Sequence, residues 1–135
     1  MTHYLLDTNH ASPLVTLDHP LRARVLSAIQ SGDTFALTTV NLAEVWYGIR
    51  ILPRAVQNQL EWQRLRSSLW IYQIEERDAI EAAEIQLALR RQGRQIGTID
   101  AMLAAIALRL GLTLLTTDAD FGAVPGLQQV NWLNP

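Results

Sequence analysis

Four carboxylates carry the most suggestive chemistry in this sequence: Asp7 in YLLDTN, Glu44 in NLAEVW, Asp100 in GTIDAM and Asp118 in LLTTDADF. Taken singly, each has an ordinary local explanation. Asp7 and Asp118 close apolar, β-like runs and suit helix N-caps. Asn41-x-x-Glu44 has the form of a capping box, and Asp100 falls in the first turn of a helical stretch, where the helix dipole favours an acid. Taken together they ask for something else. Four carboxylates gathered in one place repel strongly unless a proton or a cation intervenes. The chain has no cysteine, and His3, His10 and His19 do not fall at metal-ligand spacings. Hard oxygen donors without thiolates or an imidazole cluster suit Mg2+ or Mn2+ rather than zinc. Such a centre activates water and stabilises the displaced oxygen of a phosphodiester.

Whether the acids meet depends on the elements that carry them. Short β-like runs alternate with helical stretches, the pattern of an α/β domain with a mainly parallel sheet of four to five strands. Strands are expected at 3–7, 35–39, 70–74 and 112–117, with a short fifth at 128–133 on an edge. Helices are expected at 20–30, 42–52, 53–68, 77–92 and between Gly97 and Gly111. Leu42, Val45, Trp46 and Ile49 fall on one helix face. Pro53 suits a first helical turn and Gly93 a C-terminal stop. The stretch after Gly97 is apolar nearly all round, with Ile99, Leu103, Ile106 and Leu110 on one stripe, as in a helix buried on most sides. In a parallel sheet the strand C-termini share one edge, and ligands bind in the crevice there. Asp7, Glu44, Asp100 and Asp118 are therefore expected to converge on that edge.

At 135 residues with 49% hydrophobic content, one folded domain over 1–135 is expected. The N-terminus lacks a basic segment followed by a long apolar stretch, and no apolar run is long enough for a membrane span. A cytoplasmic protein is expected. All 11 basic residues are arginine. A GC-rich genome explains that, and so does a use for planar forks that grip phosphates. Removing the four acids from the formal net charge of −2 leaves +2 on the rest of the chain, which permits an anionic partner.

The motifs LLDTN (5–9), TTVNLAEVWYGI (38–49), GRQIGTIDAMLAAIAL (93–108), LLTTDADF (114–121) and VPGL (124–127) together resemble the PIN-domain ribonucleases. Within them they resemble the VapC-type toxins of type II toxin–antitoxin systems. The resemblance spans the chain from its first strand almost to its end. It implies a three-layer α/β/α sandwich and Mg2+- or Mn2+-dependent endoribonuclease activity on structured or single-stranded RNA such as tRNA or rRNA. It also implies homodimerisation and a cognate antitoxin that covers the acidic site. Asp7, Glu44, Asp100 and Asp118 match the family's acidic quartet. Thr8 and Asn9 match the polar pair that supports the first aspartate, and Thr116 matches another supporting position. Asp120 stands where relatives vary and is placed as a further supporting group. In the mechanism so implied, Asp7, Asp100 and Asp118 hold the metal, and Glu44 positions or deprotonates the attacking water.

Other residues have two readings. Arg90, Arg91 and Arg94 lead into the Asp100 helix and could meet RNA phosphates, or could simply complement a helix end. Trp46, Tyr47, Trp62 and Trp70 could stack bases. Packing is preferred for Trp46, and either an interface or plain core for Trp62 and Trp70. His10 is close to Asp7 in sequence and could support it from behind, though a surface role is preferred. Receiver domains and haloacid-dehalogenase-like phosphatases also place an aspartate after the first strand. They need a lysine or a stand-in, and this chain has no lysine and no DxDxT. A non-cleaving PIN-like module that binds RNA or protein is the remaining alternative, which the retention of all four acids disfavours.

Overall fold

A computed structural model describes residues 1–133. Its sheet has five strands, all parallel, in the order β3-β2-β1-β4-β5. These are β1 (His3–Leu6), β2 (Thr34–Thr38), β3 (Trp70–Tyr72), β4 (Thr113–Leu115) and β5 (Gln129–Val130). The helices are α1 (Thr8–Ala11), α2 (Pro20–Gln30), α3 (Thr39–Ile51), α4 (Ala55–Arg66), α5 (Glu76–Arg91) and α6 (Thr98–Leu110). Short 3-10 turns follow α1 and β4.

Strand alternation makes the three layers. Leu5 pairs with Ala36 on one side and Leu114 on the other. All three point into a core built with Ala82, Ile85 and Leu89 of α5 and Leu103 and Ile106 of α6. One residue along, Leu6, Leu37 and Leu115 point the opposite way, into a second core with Leu21, Val25, Val45, Ile49, Trp62 and Leu65 of α2, α3 and α4. Both faces are covered, which is why the strands read as near-continuous apolar runs. Truncating one of these leucines to alanine costs ~2–5 kcal/mol.

The sheet changes direction at β1. The chain runs outward through β2 and β3, then returns to lay β4 on the other side of β1. The C-terminal ends of β1 and β4 therefore flank the switch point where parallel sheets open a crevice.

Local signals place the remaining elements. Pro20 opens α2 behind His19, whose ring accepts from Leu21 N–H. At the end of α5, Gly93 takes φ +74° while Gly93 N–H and Arg94 N–H return to the carbonyls of Arg90 and Leu89. This is a Schellman ending that needs glycine's left-handed backbone. Asp78, near the start of α5, takes two bonds from Arg109, near the end of α6, at 2.6 and 2.9 Å. The two helices thus lie antiparallel, and α5 returns the chain to the edge from which α6 starts. α6 reaches the strand-end edge by this reversal, not by following a strand directly.

Several boundaries differ from the sequence expectation. α3 begins at Thr39, three residues earlier than expected, because Thr38 caps it. α4 begins at Ala55, and Pro53 lies ahead of its cap, Arg54, which has φ +68°. The strand over 70–74 pairs only through Tyr72, and that over 112–117 only from Thr113 to Leu115. α6 is less enclosed than its sequence suggests. Leu103 and Ile106 are buried, whereas Ile99 and Leu110, at the ends of the same stripe, are exposed.

Candidate active site

Asp7 is held from three directions. It follows β1 and caps α1, with its Oδ1 accepting from Thr8 N–H at 2.8 Å. Its Oδ2 accepts from Thr116 Oγ1 at 2.8 Å and from Asn9 Nδ2 at 3.3 Å. Its own N–H bonds to Leu115 O at 2.9 Å, tying the end of β1 to the end of β4. Capping and site membership are thus the same geometry. The cap fixes the carboxylate in a half-buried position at the end of β1.

Glu44 is fixed from the β2 side. It lies in the second turn of α3, not the first, since the helix starts early. The expected Asn41–Glu44 capping box is absent. Thr38 Oγ1 instead accepts from Asn41 N–H at 3.2 Å and donates to Asn41 Oδ1 at 2.6 Å. That leaves buried Asn41 to donate through Nδ2 to Thr8 Oγ1 at 3.1 Å, and Thr8 Oγ1 donates to Glu44 Oε1 at 3.1 Å. Thr8 therefore supports Asp7 through its backbone and Glu44 through its hydroxyl. Asn41 was missed as part of this network; its signal was Thr38-x-x-Asn41 at the end of an apolar run.

Asp118 follows β4. Its N–H donates to Thr116 Oγ1 at 3.0 Å, the same hydroxyl that donates to Asp7. Its Oδ1 accepts from Asp120 N–H at 2.9 Å. Thr116 is 1% exposed, so one buried hydroxyl sets the spacing between two acidic positions. Asp120 is exposed beside them.

Asp100 completes the group from the first turn of α6. Its carboxyl pKa is raised from 3.8 to about 6, first by burial and then by the negative charges of Asp7, Asp118, Glu44 and Asp120. Acids that are far apart in sequence thus act on one another through space. Proximity is not yet ligation. Among the described residues no three acidic or imidazole side chains close on a common point tightly enough to hold an ion unaided. Charge repulsion acts over a longer range than the 2.0–2.1 Å of a metal–oxygen bond. The two findings agree for a loose, all-oxygen cluster. That donor set fits Mg2+, which keeps several waters and takes one or two carboxylates directly.

A cavity of ≈ 1010 Å³ opens beside Asp100 and Asp120 and is lined by Gln86, Arg90 and Arg94. Arg91 is exposed but does not line it. Of the aromatic candidates, Trp62 is buried and Trp46 packs half-buried against the same core, whereas Tyr47 and Trp70 are exposed. The surface reading of His10 fails, and the alternative, a place behind Asp7, fits instead. It is fully buried, because its ring bonds Asn9 on one side and the distant Trp132 backbone on the other.

Residues 4–127 match the PIN domain, taking in all four acids and every strand but the last. The chain belongs to the PIN-domain family. Ribonuclease VapC51 of Mycobacterium tuberculosis is 30% identical over 140 aligned positions, covering 98% of this chain and 93% of its own length. Ribonuclease VapC2 of Rickettsia felis is 27% identical over 130 positions, covering 96% and 97%. The crystal structure of VapBC2 from Rickettsia felis, bound to a DNA fragment from its promoter, aligns with a TM-score of 0.82 at 26% identity. That alignment covers 97% of this chain and 99% of the matched one. Within the PIN-domain family the chain is of the VapC type.

Proposed function

We propose that this VapC-type protein is the toxin of a toxin–antitoxin pair, a cytoplasmic endoribonuclease that hydrolyses phosphodiester bonds with Mg2+ or Mn2+. The observation that carries the reading is the gathering of Asp7, Asp118 and Glu44 around Asp100 at the sheet's switch point, close enough that their charges add to burial in raising its pKa. A purely structural set of caps gains nothing from crowding like charges. Asp7, Asp100 and Asp118 would hold the ion, largely through water. When bound, it supplies charge to offset that of the scissile phosphate and of the departing oxygen.

The chain's own residues do the rest. Glu44 keeps one carboxylate oxygen on Thr8 and leaves the other for a water proton. Water oxygen bonds to phosphorus as Glu44 takes that proton, the P–O bond to the leaving nucleotide breaks, and the leaving oxygen is protonated from solvent. Arg90 and Arg94 meet the RNA backbone where it leaves the acidic cluster. The substrate is structured or single-stranded RNA, of which tRNA and rRNA are the favoured classes.

The antitoxin reading is supported by a groove at the end of α3 and along α4. Leu17, Leu52 and Leu60 line a groove of ≈ 650 Å³ with Glu61 and Arg64, and Ile51 and Val56 stand exposed nearby. Contiguous exposed apolar residues of this kind suit a partner segment. A homodimer is part of the same reading. Among the described residues no helix is long and apolar enough to cross a membrane. The test is expression in cells with mapping of new RNA 5′ ends. Sites that appear with the parent and vanish with Asp7→Asn support the proposal. Identical maps for the two proteins refute it.

A further inference from the structure

His10 lies outside the carboxylate cluster, yet both of its ring nitrogens are committed. Nε2 receives Trp132 N–H at 3.0 Å. A backbone N–H only donates, so Nε2 carries no proton and the ring is the neutral Nδ1–H tautomer. Burial, which draws the ring's pKa down to about 4, keeps it neutral. Nδ1–H then donates to Asn9 Oδ1 at 2.7 Å, and Thr117 N–H reaches the same oxygen at 3.3 Å. With two donors on Oδ1, the Asn9 amide nitrogen must face the other way, where it donates to Asp7 Oδ2. Trp132 is itself clamped. Its ring stands edge-on to Tyr4 and Phe35, with centroids at 5.0 and 5.8 Å, and the Arg24 guanidinium lies 3.9 Å from its ring centroid.

We propose that His10 is a positioning residue: it sets the Asn9 amide with nitrogen toward Asp7, and so makes the segment around Trp132 part of the mounting of the catalytic carboxylate. This rests on the reading of Asp7 as a catalytic acid. If the Asn9 amide turned over, its oxygen would oppose Asp7 Oδ2, two acceptors would face each other, and Thr116 would be left, among the described residues, as the one donor to that oxygen.

Two substitutions divide the ring's functions. His10→Asn places an amide nitrogen near the Nδ1 position, keeping the bond to Asn9 and giving up Trp132. His10→Gln reaches toward the Nε2 position, keeping Trp132 and giving up Asn9. The readouts are the Asn9 side-chain amide in 15N–1H spectra of the metal-free chain, and kcat and KM on an RNA oligonucleotide with Mg2+. His10→Asn is expected to keep the parental Asn9 signals and a kcat within about threefold of the parent. His10→Gln is expected to release those signals and lower kcat about tenfold at unchanged KM, the size of one lost hydrogen bond. The opposite order, with Gln parental and Asn impaired, overturns the proposal and leaves His10 a mere anchor for the C-terminal segment. The parent alone also tests it: an imidazole protonated at Nε2 rather than Nδ1 overturns it even if neither variant folds. A parent that cuts no RNA while Asn9 answers to His10 as described refutes the nuclease reading, not the positioning.

Discussion

Replacing Asp100 by asparagine should stabilise the metal-free protein, although it removes a residue of the proposed site. The folded-state pKa of Asp100 is about 6, against 3.8 for an ordinary aspartate. Between those values the folded chain holds the proton more tightly than the unfolded chain. Protonation therefore favours folding, and that contribution is lost as pH rises toward and through 6. Above it, the ionised carboxylate carries the full penalty, ~3 kcal/mol from the rise itself. Asp100 is only half-buried, so solvent screening reduces this to about 1–2 kcal/mol. Asp100→Asn removes the charge and recovers that amount. The assay is urea unfolding in EDTA at pH 7.5 and pH 4. The variant should be more stable at pH 7.5, and the gap should shrink at pH 4. With saturating Mg2+ the order should close or reverse, since an ion that binds only the folded parent adds stability by mass action. A variant that is equal or less stable at pH 7.5 in EDTA would refute the claim that burial and the neighbouring acids together penalise the Asp100 charge.

Glu44→Gln should lower kcat by ~100- to 10,000-fold with little change in KM, the range of a lost general base, measured on an RNA oligonucleotide. Replacing Arg90 and Arg94 together by alanine should raise KM and leave kcat near the parent. The slope of log affinity against log salt should flatten by about 1.4, as for two lost contacts to a single strand. Arg109→Met strands the buried Asp78 carboxylate, whose pKa the Arg109 bonds hold below the ordinary value. It should cost ~3–5 kcal/mol in urea unfolding at neutral pH. Without Arg109, burial raises the Asp78 pKa in the variant, whereas the Arg109 bonds lower it in the parent, so that cost should fade as pH drops from the variant's raised value through the parent's lowered one.

Much of this arrangement was legible in the chain itself. Runs such as YLL and TLLTT mark strands buried on both faces, and their alternation with helical stretches implies a parallel sheet. A parallel sheet in turn gathers the strand-end acids. Boundaries were less legible because the same polar residues that end the ladders serve the site. Thr116 reads as strand but turns its hydroxyl to Asp7, and Thr38 reads as strand but caps α3, which moves Glu44 back by a turn. The burial of His10 was out of reach for a different reason. Its decisive partner is Trp132, separated from it by 122 positions, and no local pattern announces such a bond. Asp100 was correctly expected at the edge, though by an incomplete route. The antiparallel turn of α5 onto α6, locked by Asp78 and Arg109, is what brings it there.

The most direct test of the central claim is RNA cleavage by the purified, antitoxin-free chain. With Mg2+ or Mn2+ the parent should produce discrete RNA fragments. EDTA should stop the reaction, renewed Mg2+ should restore it, and Asp7→Asn should remain inactive throughout. Cleavage that survives EDTA, or an Asp7→Asn variant that cuts as well as the parent at equal Mg2+, would contradict the account.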